Sequence, residues 1–281
     1  MTTPAKASAS RIVSVIADPH FDRHDRKAWN AYRKWHRHIR PAETVVLGDA
    51  IDLGMLSHFL QGPEDPVNAI EQVQCFVREM NALWQHTGRM VVMEGNHEAR
   101  WEKALIGAHG PAFKGAIGLT LREQCFAQGL DKRTEWRTEQ PGAKPLPIGQ
   151  FQLEHGHTDS RGAFGRGKYS AANKLASNNF HSIAFGHDHR FQWYCQTGGG
   201  ATDIGISVPC LLEDQGYRIR PNWQRGFLIL ELNAPTYEIA TPHPVLMLDG
   251  RFSWGGRTYD GGTPMVKTPA KPAPQVSPQV T

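Results

Sequence analysis

Two histidines one residue apart close the run Ser182-Ile183-Ala184-Phe185-Gly186-His187-Asp188-His189. Neutral imidazole is a ligand for Zn, Mn, Fe and Ni, although a lone His-x-His is more often an ordinary surface turn. What changes the reading is that four other apolar runs end in the same kind of chemistry. Arg11-Ile12-Val13-Ser14-Val15-Ile16-Ala17 leads into Asp18-Pro19-His20, and Thr44-Val45-Val46-Leu47 into Gly48-Asp49, with Asp52 three residues on. Met90-Val91-Val92-Met93 ends in Glu94-Gly95-Asn96-His97-Glu98, and Phe151-Gln152-Leu153-Glu154 in His155-Gly156-His157. A carboxylate can bridge two cations, and carboxylate, amide and imidazole donors without thiolate suit hard and borderline divalent metals. Asn96 beside His97 points to catalysis, because both groups would need hydrogen-bond partners if merely buried.

These residues need strands to carry them. Short β-branched runs read as buried parallel strands, and ligands gather beyond the carboxyl ends of such strands. Asp18 and His20, at i and i+2, would face one side of an extended segment, and Pro19 suits a strand end. Gly48 lets backbone approach the site closely. A helix is expected over 25–39, with Trp29, Tyr32, Trp35, His36 and Ile39 on a core face and Arg33, Lys34, Arg37 and Arg40 on a solvated one, ended by Pro41. Such a basic face also invites a nucleic-acid reading. Asp65-Pro66 should open a second helix, with Val67, Ile70, Val73, Val77, Met80 and Trp84 buried and Gly88 as its C-cap.

Beyond that come a short helix, a Gly-rich section over 107–118, a helix to about residue 128, and a hairpin or insertion over 131–147. The basic loop 161–168 could hold a phosphate or be plain surface. A helix over 169–178 follows, and five antiparallel strands at 191–195, 226–232, 237–241, 245–248 and 251–254 would form a second sheet packed on the first.

The bounds are those of one domain. With 281 residues and a 40% apolar fraction the chain has ample core, and no apolar run approaches the roughly 18 residues of a membrane helix. No signal peptide is visible, and Cys75, Cys125, Cys195 and Cys210 form no Cys-x-x-Cys pair, so free thiols in a reducing, cytoplasmic setting are expected. The net charge of +4 gives weak support to an anionic substrate. The expected organisation is a flexible N-terminus over 1–10, one domain over 11–260 and a disordered Pro-rich tail over 261–281.

In this order the motifs Asp-x-His, Gly-Asp, Gly-Asn-His, His and Gly-His-x-His resemble the calcineurin-like metallophosphoesterase superfamily, over about residues 12–190, with bacterial and bacteriophage-type members most similar in compact size. The resemblance implies an α/β fold, a four-layer αββα sandwich of two mixed β-sheets flanked by helices. It implies two divalent metal ions, Mn first and Fe, Zn or Ni as alternatives. Asp18, His20 and His189 would hold one, Asn96, His155 and His187 the other, and Asp49 would bridge them. A water shared by two cations about 3.5–4 Å apart becomes a hydroxide that attacks phosphorus in line, and His97 would assist the leaving group. His157 is expected to hydrogen-bond behind the ligands rather than bind metal.

Asp52 is followed by Leu53-Gly54, not by the Arg-Gly of the Ser/Thr phosphoprotein phosphatases, which argues against that branch. Glu98 stands where many phosphodiesterases and nucleases have Asp. The expectation is a phosphodiesterase or phosphatase whose partner is a phosphoester substrate, either a small molecule or nucleic acid. A metal-dependent nuclease and a non-catalytic metal-binding scaffold are the alternatives.

Overall fold

The computed structural model describes residues 10–57, 68–109, 118–138, 143–157, 169–179, 181–198, 200–213 and 222–262. Strand β1 (Arg11–Ile16) lies at the middle of the larger sheet. It pairs in parallel with β2 (Glu43–Val46), which continues to β3 (Met90–Met93) and the short edge strand β4 (Glu135–Arg137). Its other neighbour is β10 (Arg225–Leu232), antiparallel, which pairs with the edge strand β11 (Ala240–Met247). The second sheet has the order β5 (Leu146–Ile148), β6 (Phe151–Glu154), β7 (Ile183–Phe185), β9 (Ala201–Ser207), β8 (Gln192–Gly198).

Successive side chains of a strand point to opposite faces, and both faces of the larger sheet are apolar. Val13, Val15, Val45, Leu47, Val91, Leu228 and Leu230 face the second sheet and pack with Phe151, Leu153, Ala184 and Ile206. Ile16, Val46, Val92, Phe227 and Ile229 face α1 (Arg26–Ile39) and α2 (Ala69–Trp84). Between β3 and β4 the chain forms α3 (Ala99–His109) and α4 (Leu121–Ala127). On the far side of the second sheet Leu175 of α5 (Ser170–Ser177) packs on Ile183 and Phe185. These are the four expected layers, helix, sheet, sheet, helix, and the chain is long enough to fill them.

Helix α1 begins where Asp25 accepts from the backbone N–H groups of Lys27 and Ala28, and it ends at Arg40, which is left-handed just before Pro41. Its aromatics are core: Trp29, Tyr32 and Trp35 are at most 2% exposed. Three of its basic side chains have partners within the chain. Lys27 pairs with Asp249, Arg33 with Glu79, and Lys34 donates to the Asp260 carbonyl of the hairpin β12 (Arg251–Trp254)–β13 (Arg257–Asp260).

Several expectations are corrected. The N-cap of α2 is Asn68, whose side chain accepts from Glu71 N–H; Asp65, Pro66 and Val67 lie outside the described residues. Its C-cap is Gln85, three residues before Gly88, where the chain instead passes close to the Ala42 carbonyl. The stretch 131–147 is no separate hairpin. Glu135–Arg137 extends the larger sheet, anchored by Trp136 donating to Glu94, and Leu146–Ile148 pairs with β6. Of the five late strands only β8 joins the second sheet. β10 and β11 complete the first, the runs 237–241 and 245–248 merge into β11, and β12 pairs with β13 alone. Strand β9 was not anticipated, because Asp203 and Gly205 break its apolar pattern. The loop 161–168, residues 1–9, residues 263–281 and most of the Gly-rich section lie outside the described residues. Among the described residues, no helix is long and apolar enough to cross a membrane.

Candidate metal centre

The parallel strands β1, β2, β3, β6 and β7 all end on one side of the sandwich, and the residues after them meet there. Of three groups of donor atoms lying within 4.8 Å of one another, one is His20, Asp52 and His97 and the other two meet at a shared carboxylate: Asp18, His20, Asp49 and His189, and Asp49, His155 and His187. Asp49 belongs to both of these. Asn96 joins the latter, its Oδ1 lying 3.2 Å from His155 Nε2. All seven residues singled out as metal ligands therefore gather in one place, with His97 beside them, its Nε2 lying 3.7 Å from Asp49 Oδ2.

The backbone bends to achieve this. Asp18, His20, Asp49, His187 and His189 all have positive φ, between 46° and 69°, which corrects the extended geometry expected for Asp-Pro-His. A non-glycine residue in that region costs on the order of 1–3 kcal/mol, and the surrounding hydrogen bonds hold it. His187 N–H donates to Asp18, tying the end of β7 to the end of β1, and His97 N–H donates to Asp49. Gly48 has φ +91°, and a Cβ there would stand 2.8 Å from both Gly95 N and His155 Nδ1. Only glycine lets these loops close on each other.

The donor set fits divalent cations. His155 Nδ1 lies 2.7 Å from the Leu47 carbonyl, which can only accept, so Nδ1 carries the hydrogen and Nε2 presents a lone pair. That lone pair faces two further acceptors, Asn96 Oδ1 and Asp49 Oδ1, the latter at 3.3 Å. His20 repeats the pattern. Its Nδ1 lies 2.9 Å from Asp52 Oδ1, and its Nε2 faces His189 Nε2 at 3.3 Å. Acceptors aimed at acceptors in a buried space are what a cation resolves. Asp18 and Asp49 are 0% and 1% exposed, and no thiol lies in either group.

The electrostatics agree. Burial, with the charge of Asp49 added, pushes the Asp18 carboxyl up to about 7. Burial works against Asp49 too, but His155 and His97 hold its carboxyl well below the usual range. Burial pulls His20 down, and the hydrogen bond and charge of Asp52 outweigh it, so its imidazole sits above its ordinary value. Burial lowers His97 to about 4 and His189 well below its ordinary value.

Three supporting residues were not assigned a role from the sequence. Asp52 holds His20 and also faces Arg23 at 3.3 Å. Glu98, noted only as a family variant, accepts from the N–H groups of Asp49, Ile51 and Gly95, so one buried carboxylate fixes the loops after both β2 and β3. Arg100, in the first turn of α3, lies against His97. Its one sequence signal is the i, i+3 spacing from His97. The ring of His157 lies 5.4 Å from that of His155 and 6.2 Å from that of His187.

A two-sheet sandwich with carboxylate, imidazole and amide donors gathered at the ends of its parallel strands defines a metallophosphoesterase, and the chain belongs to the calcineurin-like phosphoesterase family, whose pattern it matches over residues 13–191. Among individual proteins, it is 25% identical over 273 residues to the Gene 54 protein of Mycobacterium phage L5, covering 89% of this chain and 99% of that one. Solved structures similar to it include Vps29 of Entamoeba histolytica in complex with zinc, at 14% identity and a TM-score of 0.45, covering 89% of this chain and 99% of that one. Vacuolar Protein Sorting 29 of Cryptosporidium parvum is similar at 10% identity and a TM-score of 0.43, covering 90% and 96%.

Proposed function

We propose that the protein hydrolyses phosphoester bonds with two divalent metal ions, as a phosphodiesterase or phosphatase. The observation that carries this is the sharing of Asp49 between two donor groups, one completed by Asp18, His20 and His189 and the other by His155 and His187, with Asn96 alongside. Two cations held there would make a shared water nucleophilic at neutral pH and offset charge on the phosphoryl oxygens. Asp18, His20 and His189 would hold one, Asn96, His155 and His187 the other, with Asp49 available to both.

His97 stands beside Asp49, on the side of the centre that Asp52 and Arg100 also border. There its imidazole meets the leaving oxygen and stabilises or protonates it. Asp52 orients His20, and Glu98 keeps the Gly-Asp and Gly-Asn-His loops in register. Of the basic face of helix α1 that suggested a nuclease, Arg33, Lys34 and Arg40 have partners within the chain, which leaves exposed Arg37 to support that variant.

The test is hydrolysis of bis-p-nitrophenyl phosphate against p-nitrophenyl phosphate by metal-stripped protein resupplied with Mn²⁺. Turnover should appear with metal and be lost in Asp49→Asn and His97→Ala. Preference for the diester would identify a phosphodiesterase, with nucleic acids tried next, and preference for the monoester a phosphatase. Undiminished metal-dependent turnover in both variants would overturn the assignment.

A further inference from the structure

A guanidinium carries five N–H donors in a planar fork and no acceptor, so a half-buried arginine needs anions or carbonyls around it. Arg100 is half-buried and poorly supplied. Its Nη1 donates to the Asp52 carbonyl at 3.0 Å, and its Nη2 lies 2.9 Å from His97 Nε2. Nη1 also lies 2.9 Å from His97 Nδ1. That contact supplies no acceptor, because Nδ1 is 2.6 Å from the same Asp52 carbonyl and is itself the donor there.

Among the described residues no carboxylate pairs with Arg100, a state it shares with the half-buried Arg190, whereas Arg11, Arg23, Arg33, Arg78, Arg89 and Arg225 each face one. Its place in the helix is also unfavourable. A cation in the first turn of α3 opposes the helix dipole. The loop after β2 brings no cation of its own within 48–57. A guanidinium without a carboxylate partner among the described residues, held against the imidazole that borders Asp49, is thus a fixed positive charge at the edge of the centre.

We propose that Arg100 grips the phosphoryl group of the substrate. On binding, Nη2 leaves His97 Nε2 and donates to a non-bridging phosphoryl oxygen, while Nη1 keeps the Asp52 carbonyl. His97 Nε2, an acceptor in the empty site, is thereby uncovered and free to take up from water the proton it would pass to the leaving oxygen. Arg100 is a binding residue for the phosphate and, in the empty site, a cover over His97. This rests on the reading of the centre as a phosphoester hydrolase.

The test combines kinetics with binding of inorganic phosphate by calorimetry, on Mn²⁺-loaded wild type, Arg100→Ala, Arg100→Lys and Arg100→Gln. Metal content and melting temperature are measured for each variant. Losing a charge-assisted hydrogen-bond donor should weaken phosphate binding and raise KM about ten-fold or more in Arg100→Ala. Arg100→Lys should retain part of the binding, and added guanidinium should restore part of it to Arg100→Ala.

The same loss in a His97→Ala background separates gripping phosphate from merely positioning His97. If the Arg100→Ala effect vanishes once His97 is gone, or if all well-folded variants bind phosphate like wild type, the inference is overturned. Wild-type turnover with unaltered variants would overturn it alone. Neither turnover nor phosphate binding by the metal-loaded wild type would overturn the hydrolase reading with it.

Discussion

Asp52 acts at the centre through another side chain. Its carboxylate accepts from the far nitrogen of His20, fixing both the tautomer and the direction of the ring, and Arg23 faces its other oxygen. The His20 hydrogen bond and charge, against the effect of burial, hold this carboxyl far below the ordinary range. Asp52→Asn keeps the shape and removes the charge, so affinity for Mn²⁺ should fall about 10–100-fold, as is usual when a hydrogen-bond partner behind a metal ligand is lost. Titration of metal-stripped protein by calorimetry measures this, and an unchanged affinity would show that His20 needs no such support. At this scale the sequence was legible where chemistry needs rare residue types, since all seven candidate ligands and His97 converge. It was silent on Glu98 and Arg100, because accepting backbone N–H groups or covering an imidazole leaves no pattern that distinguishes one Glu or Arg from another.

Between elements, His36 joins α1 to β2. Its Nε2 lies 2.8 Å from the Thr44 hydroxyl and the residue is fully buried. Burial, and to a smaller extent His86, lowers its imidazole to about 3. The folded state therefore holds the neutral ring, while the unfolded chain binds a proton near pH 6.5. This stabilisation is complete above pH 6.5 and is lost as pH falls from there toward 3, at a slope of at most about 1.4 kcal/mol per pH unit. Urea midpoints measured from pH 7.5 to 4.5 should decline in wild type and decline less steeply in His36→Gln. The parallel strands and α1 were readable because a continuous β-branched run suits little besides a buried strand, and a 3.6-residue aromatic stripe little besides a helix with one face in the core. The edge strand β4 and the inner strand β9 were not, being short, polar or interrupted by glycine, so that pairing with neighbours rather than their own pattern makes them strands.

For the whole molecule, the candidate ligands divide by sheet: Asp18, His20, Asp49 and Asn96 follow strands of the larger sheet, and His155, His187 and His189 follow strands of the smaller one. Metal bound there links the sheets and favours the folded state by mass action, by about 2.7 kcal/mol when free metal is 100-fold above its Kd. Chelation should lower the melting temperature by on the order of 5 °C. Scanning calorimetry with and without chelator reads this, and an equal shift in Asp49→Asn would place the stabilising metal elsewhere. The position of β1 between β2 and β10 also governs when such a centre can exist during synthesis. Every candidate ligand has been synthesised once residue 189 is made, yet the strand that carries Asp18 gains its second neighbour only with Arg225–Leu232. A nascent chain halted at residue 222 would own the whole ligand set and lack the strand that frames Asp18 on its second side, so the complete centre needs the chain at least through Leu232.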